Sequence, residues 1–404
     1  MRLFRNTRAL AAIGLLVLIL IVVIPLIIFL ILAEQKQHTP GRLTPTPRVS
    51  QTSRGALSWP VISRNVPVFA SSTNYPASNA NSGNYNTSWR SNGIPAWLAY
   101  DLSSIPVVER SKVLLVWYNE TYDYSHTIIG DYAYNLPQDY TIDVNPGAGG
   151  GKPPGKGWVT LITVNGNHYH SRQHLIDMTG NDWIRISVTA VDGSPENYDA
   201  SIKMDIYDAN YGTSDNWIFF GDSITAGAMG HLFIGGVKSF AWLINARAPK
   251  NFPVQETGGI GFLTSADGAK YMSIWLQLFP GKYVGLSYGT NDALGCTNAA
   301  NFYANYFTMV HIVLTMGKIP IVPHIPWGRS ANIQQCAPVL NSKIDDLYRA
   351  FPQIIRGPDF WTFFQKHQDL ISDDDIHPTQ MGFGAYRQQW ANAMLRAVYN
   401  IHAI

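Results

Sequence analysis

The sequence predicts an α/β protein: a three-layer α/β/α domain on a parallel sheet, preceded by an antiparallel β-sandwich and an N-terminal transmembrane helix. Three observations predict it. After Asp215, apolar strand-like runs alternate with helix-length segments, which is the pattern of a parallel sheet covered by helices on both faces. Between about Ala56 and Ala209, short runs are separated by clusters of Gly, Pro, Asn and Asp, as in an antiparallel sandwich or barrel. Near the start, Ala9 to Ala33 form one uncharged and almost wholly aliphatic run.

As a helix rising ~1.5 Å per residue, that run exceeds the ~30 Å hydrocarbon thickness of a bilayer. Arg2, Arg5 and Arg8 precede it, and the positive-inside rule assigns that end to the cytoplasm. A cleaved signal peptide is the alternative reading. The run is longer than the ~7–15 residues of a signal's apolar region, and no clear A-x-A site follows. The expectation is therefore a cytoplasmic N-terminus at 1–8, a single-pass anchor at 9–33, and everything beyond it extracytoplasmic; secretion after signal cleavage is the alternative. Residues 34–55, rich in Pro and Thr without a hydrophobic period, read as an extended linker.

In the predicted sandwich, 56–209, the strand candidates are "AWLAYDL", "KVLLVWY", "DYTIDV", "WVTLITV", "DWIRISVTAV" and "ASIKMDIYD". "NPGAGGGKPPGKG" is too rich in Gly and Pro for a strand and reads as a loop. In the predicted α/β domain, 210–404, the strands are "NWIFFG", "FPVQET", "YVGLSYG", "IPIVPHI" and "QIIRG". The helices between them are Val237–Arg247, Ala269–Leu278, Ala299–Met316 and Ile333–Ala350. Open sheets of this kind bind ligands beyond the carboxyl ends of their strands.

Composition narrows the function. Apolar residues make up 46% and charged residues 14%, which suits a folded chain rather than a disordered one. The net charge of +2, with no dense run of Lys or Arg, gives no nucleic-acid surface. No C-x-x-C, H-E-x-x-H or phosphate-binding loop is present, so no metal or other cofactor is called for.

The strand ends carry the chemistry. "GDSIT" follows the first strand, "ETGGIG" the second and "GTND" the third, while "DDDIHPTQMG" comes after the last helices begin to close the domain. A serine hydroxyl becomes a useful nucleophile when a neighbouring base takes its proton. His377 can do so if its second ring nitrogen is held by a carboxylate, and Asp374 lies three residues earlier. The order Ser, Asp, His is one permutation of a constellation recognised by roles. Oxyanion donors would be the Ser223 amide, a glycine amide from "TGGIG" and the Asn291 side chain. Position 225 is Thr, so the stretch is not the G-x-S-x-G elbow of α/β-hydrolases.

On these residues, 215–404 resembles the SGNH (GDSL-type) hydrolases. The matching blocks are Gly221-Asp222-Ser223-Ile224-Thr225, Gly258-Gly259-Ile260-Gly261, Gly289-Thr290-Asn291-Asp292 and Asp374-Asp375-Ile376-His377-Pro378. The resemblance implies Ser223 as nucleophile, His377 as base and Asp374 as its orienter, with Gly258 and Asn291 in the oxyanion hole. Glu256 stands where the second block often has Asn, which leaves Gly258 and Gly259 as alternatives. Asp222 and Asp292 are expected to hold loops, and Asp373 and Asp375 to be solvated neighbours of the triad acid. His324 is expected either to line the cleft or to have no role.

Val68 to Leu102 resembles the start of discoidin-type, galactose-binding-like sandwiches. The run from Ala80 to Trp89 carries the signature, with Ser82 in place of the usual Asp. Trp89 is expected in the core. The resemblance implies glycan binding, bracing of the neighbouring domain, or contact with a membrane surface, and those alternatives stay open. Cys296 and Cys336 are the two cysteines of the chain, and outside the cytoplasm such a pair is expected to bond, stapling two loops at the active-site end. The expected function is a membrane-anchored serine esterase acting on an acylated small molecule or glycan, most plausibly an O-deacetylase. The alternatives are a lipase, thioesterase or lysophospholipase, and a glycan-binding surface protein with an inactive hydrolase domain.

Overall fold

The computed structural model describes residues 61–84, 87–119, 135–167, 169, 171–192, 199–210, 212–213, 215–230, 234–249 and 251–401. The anchor and linker expected within 1–55 lie outside them. Among the described residues no helix is long and apolar enough to cross a membrane. Ala56–Ile404 forms one compact unit.

The first strands are β1 (Val68–Ala70), β2 (Trp89–Arg90), β3 (Ala96–Asp101), β4 (Lys112–Tyr118), β5 (Leu136–Asn145), β6 (Val159–Val164), β7 (Ser171–Asp177), β8 (Trp183–Asp192) and β9 (Ser201–Asp208). They form two antiparallel sheets, ordered β1-β3-β8-β5-β6 and β2-β9-β4-β7. Leu98, Tyr100, Ile184 and Ile186 from one sheet meet Leu115, Trp117, Ile202 and Met204 from the other in a single core. Trp89 lies in that core, fully buried, with its indole N–H on the Ser72 carbonyl at 3.0 Å. Strands β1, β2 and β7 are not among the runs singled out in the sequence. The first two are very short, and β7 ("SRQHLID") carries Arg, Gln and His where alternation asks for apolar residues.

The loop bearing the Ala80–Trp89 run is tied down by Lys203. Its ammonium group is fully buried and donates to the carbonyls of Asn79 and Asn84 at 2.8 Å and to Ser82 Oγ at 2.9 Å. A buried charge persists only when oxygens surround it, and here one segment of chain wraps the lysine.

The second half follows as β10 (Asn216–Gly221), α1 (Ser223–Met229), α2 (Phe240–Arg247), β11 (Val254–Gly259), α3 (Ser265–Gln277), β12 (Tyr283–Ser287) and α4 (Thr290–Leu294). Then come α5 (Ala299–Thr315), β13 (Ile319–Val322), α6 (Ala331–Ala350), β14 (Ile355–Arg356), α7 (Phe360–Lys366) and α8 (Gln380–Ala397). The sheet is all parallel, ordered β11-β10-β12-β13-β14. Strand β10 shows why its sequence is apolar throughout. Ile218 and Phe220 enter the core shared with α3, α5 and α6, whereas Trp217 and Phe219 enter the one shared with α2, α7 and α8.

A fourth core joins the two halves. Leu114, Val116 and Tyr118 leave the sandwich on its outer face and pack with Ala241, Phe252 and Val254. At the same seam Ser171 Oγ donates to the Thr257 carbonyl at 3.3 Å, and Asn216 Nδ2 donates to Gln173 Oε1 at 2.7 Å. Glu256 is buried there, and desolvation pushes its carboxyl up to about 8 despite the Arg172 charge and hydrogen bonds from Ser171 and Gln173.

Two outcomes follow. Replacing Lys203 with Met leaves buried carbonyls without a donor, so stability falls by about 2–4 kcal/mol, read as a lower urea midpoint. Glu256 holds its proton in the folded state after the unfolded chain has lost it, so its contribution declines as pH rises from about 4.5 to about 8. Glu256→Gln therefore gains on the wild type in melting temperature across that window and no further above it; a constant difference would contradict the seam's ionisation.

Candidate active site

Strand β10 stops at Gly221 because nothing larger fits. A Cβ there would lie 2.2 Å from Thr225 Oγ1 and 2.6 Å from the Ser287 carbonyl oxygen. The chain turns at once into α1, with Asp222 as its N-cap accepting the Ile224 N–H at 3.0 Å. Ser223 is thus the first residue of the helix, at the carboxyl edge of the sheet. Strand β12 ends next door, and Asn291 lies in the first turn of α4. These are the two strands on either side of the point where strand order reverses, the usual ligand crevice of such sheets.

His377 arrives from the opposite end of the sequence. Its Nε2 lies 2.8 Å from Ser223 Oγ, and its Nδ1 lies 2.6 Å from Asp374 Oδ2. With the Nδ1 proton donated to Asp374, Nε2 is free to accept the serine proton. The other oxygen of Asp374 accepts from Ser372 Oγ at 2.7 Å, from the Ile376 N–H at 2.9 Å and from the His377 N–H at 2.8 Å. Desolvation raises the pKa of Asp374, but these hydrogen bonds and that of His377 outweigh it and hold the carboxyl well below the usual range. The His377 and Asp374 side chains are 37% and 47% exposed, so this line of groups opens directly to solvent.

The oxyanion donors are less simply arranged. Asn291 Nδ2 gives one hydrogen to the Leu263 carbonyl at 2.9 Å, which leaves its second for a ligand. Gly258 sits inside β11 opposite Phe220, whose ring would lie 2.5 Å from an added Cβ. Val254 N–H bonds to the Asp215 carbonyl and Ile260 N–H to that of Gly221, and the alternation between them turns the Gly258 N–H into the ladder. That amide is not available to a ligand. Gly259 pairs with Gly221 at the end of the strand, and Gly261, the last glycine of the same block, follows in the turn beyond it.

The carboxylates next to the site residues hold loops. Asp292 accepts the Ser265 N–H at 2.8 Å and the Ser265 hydroxyl at 2.6 Å. Burial pushes Asp222 up to about 6 despite the Ile224 N–H and the nearby His377. Asp375 is not simply solvated: its Oδ1 lies 2.6 Å from Arg329 Nε. Arg329 also donates to the carbonyls of Gln368 at 3.2 Å and Ser372 at 2.5 Å, so one guanidinium grips the whole segment that presents Asp374 and His377. No motif marked Arg329, because two of its three partners are backbone carbonyls, which carry no residue-type signature. His324 lies 3.2 Å from Asp345 and 3.4 Å from Asp359. Cys296 and Cys336 are bonded, with Cα atoms 5.4 Å apart. The bond joins the loop after α4 to the body of α6 rather than two loops, since Cys336 is helical.

Residues 219–385 match the family described as GDSL-like lipase/acylhydrolase. The chain carries an SGNH-type ester-hydrolase domain. No curated protein matches the chain. Similar solved structures include the YXIM protein of Bacillus subtilis, 14% identical, covering 81% of this chain and 88% of that one, with a TM-score of 0.44. The acetylxylan esterase Axe2 of Geobacillus stearothermophilus is 16% identical, covering 46% of this chain and 94% of that one, with a TM-score of 0.37. A chitosan-binding module from a chitosanase/glucanase of Paenibacillus sp. IK-5 is 22% identical, covering 36% and 98%, with a TM-score of 0.27.

Arg329→Ala should free the triad loop without touching the reacting groups. The expected result is a fall in kcat of about ten- to a hundred-fold from misplacement of the base, with little change in KM and partial recovery in Arg329→Lys. Unaltered kcat in Arg329→Ala would show that the loop holds its shape without the guanidinium.

Proposed function

We propose that this hydrolase is an extracytoplasmic carbohydrate esterase that removes O-acetyl groups from a glycan, with Ser223 as nucleophile, His377 as base and Asp374 as orienter. The observation that carries the reading is the exposure of the Ser223–His377–Asp374 line. An open rim admits a bulky alcohol portion such as a polysaccharide, while the acyl portion needs room only for a small group. The larger cleft described on this domain, about 650 Å³, is lined by residues such as Arg356, Phe363, Lys366 and Arg396 and by none of Ser223, Asp374 and His377. The bonded cysteines suit an oxidising compartment, in keeping with an anchor at 9–33 and catalysis outside the cytoplasm. The sandwich is proposed as a brace, and as a glycan-binding partner of the site.

In this mechanism Ser223 Oγ attacks the ester carbonyl as its proton passes to His377 Nε2. The oxyanion takes hydrogen bonds from the Ser223 amide, the second Asn291 side-chain hydrogen and the Gly261 amide, the last replacing Gly258. Asp374 stabilises the imidazolium, which returns the proton to the departing sugar oxygen and leaves an acetyl-serine. Water, deprotonated by the same imidazole, attacks that ester and releases acetate.

Fluorophosphonate labelling should be lost in Ser223→Ala together with activity on p-nitrophenyl acetate. On p-nitrophenyl esters of increasing length, kcat/KM should be highest for acetyl and fall steeply by octanoyl. Acetate should be released from at least one of O-acetylated xylan, mannan, pectin and chito-oligosaccharides. A preference for long chains would replace this reading with that of a lipase or thioesterase.

A further inference from the structure

Between β11 and α3 the chain is fixed on both sides of a single outward residue. Ile260 N–H is bonded to Gly221 O at 3.0 Å, and the Leu263 carbonyl accepts from Asn291 at 2.9 Å. Thr264 N–H reaches Asp267 at 2.9 Å, and Ser265 N–H reaches Asp292 at 2.8 Å. Ile260 and Leu263 are buried, 7% and 6% exposed, whereas Phe262 between them is 72% exposed. Its φ is +61°, a left-handed conformation that favours glycine and is an outlier for a bulky residue. The fold gains no packing from the ring, and the backbone would be easier to close with glycine there. An exposed aromatic kept at a strained position beside reacting groups points to a ligand rather than to folding.

Its location says which part of a ligand. Gly259, the last residue of β11, pairs with Gly221, two residues before Ser223, and Asn291 holds the Leu263 carbonyl, so Phe262 lies in the short turn between the end of β11 and the residue bonded to Asn291. Met381, 67% exposed, stands in the first turn of α8 just beyond His377. An exposed ring at an open rim offers a flat apolar face that can pack against the C–H face of a pyranose, leaving the sugar hydroxyls in water.

Resting on the deacetylase reading above, we propose that Phe262 is the specificity-determining platform for the sugar ring that bears the acetyl group. It binds the alcohol portion of the ester and takes no part in proton transfer.

The test uses the full chain with Phe262→Ala, Phe262→Gly and Phe262→Trp. With the best O-acetylated glycan of the panel, the Ala and Gly variants should raise KM by about three- to twelve-fold, the size of one aromatic contact. Their kcat/KM on p-nitrophenyl acetate, which carries no sugar, should stay within about two-fold, and Phe262→Trp should restore the glycan KM. Phe262→Gly should also melt no lower than the wild type, because glycine accepts the positive φ. An unchanged glycan KM in the Ala and Gly variants would overturn the platform alone. So would an equal loss on both substrates, which would assign Phe262 to the shape of the oxyanion turn. Failure of the wild type to release acetate from any glycan, with p-nitrophenyl acetate still hydrolysed, would remove the deacetylase reading and the platform together.

Discussion

The sheet β2-β9-β4-β7 is buried on both faces, and the arrangement of the active site depends on it. Strand β4 sends Val113, Leu115 and Trp117 into the sandwich and Leu114, Val116 and Tyr118 into the seam with α2 and β11. An antiparallel sheet with one face in water alternates apolar and polar residues; a strand apolar at every position needs a second layer. That layer is the flank of the parallel sheet. β11 is the edge strand there, and an uncovered parallel edge would present unpaired backbone groups. The Ser171 hydroxyl on the Thr257 carbonyl is one of the contacts that close it.

From this seam the order runs to the chemistry through β11. The strand ends at Gly259, and the turn from Ile260 to Ser265 is tied to β10, α3 and α4 before α3 begins. Asn291 secures this turn with one amide hydrogen, and in the proposed mechanism keeps the other for the oxyanion. The other supports are independent of the seam. The disulfide fixes the loop after α4 to α6, and Arg329, just before α6, holds the segment from Gln368 to Asp375. In the proposed mechanism, nucleophile, oxyanion donors and base thus stand on separate elements whose mutual positions are set by a few long-range contacts. Preorganisation of this kind, rather than any unusual reactivity of the serine, is what such a site contributes to rate.

Much of this was legible in the sequence because it follows from periodicity and local chemistry. Strands β10, β12 and β13 are largely apolar runs, α5 was read to within a residue of its ends, and the blocks around Ser223, Asn291 and His377 stand out. Three things were not legible. That the Gly258 amide turns into the ladder depends on the register between β10 and β11, and a run of glycines carries no register of its own. Arg329 acts on Asp375 and on two backbone carbonyls, and carbonyls belong to every residue. Strand β7 was hidden because Arg172, Gln173 and His174 are polar. Two of them are buried with polar partners: Gln173 meets Asn216 at the seam, and His174 meets Tyr140 inside the sandwich at 2.8 Å. Burial keeps that imidazole neutral, pushing it down to about 3. Polar residues buried at a junction between two layers defeat a reading that takes polar to mean outside.

Two carboxylates compete for the role of the histidine's partner, and their surroundings decide between them. Asp222 is adjacent to the nucleophile and close enough for its charge to be felt by His377. It is fully buried, however, and desolvation lifts it to about 6 despite its hydrogen bonds, into the range where an imidazole titrates. Acidification would neutralise it just where an imidazole takes up its proton and needs a counter-charge. Asp374 is half-exposed, satisfied at both oxygens and held well below the ordinary carboxylate range. It stays anionic throughout the interval in which an imidazole gains and loses its proton, and it alone touches Nδ1. A partner that must hold one tautomer and stabilise a transient imidazolium has to keep its charge while the ring changes its own. In the proposed mechanism that assigns the role to Asp374 and leaves Asp222 to fix the turn from which Ser223 projects.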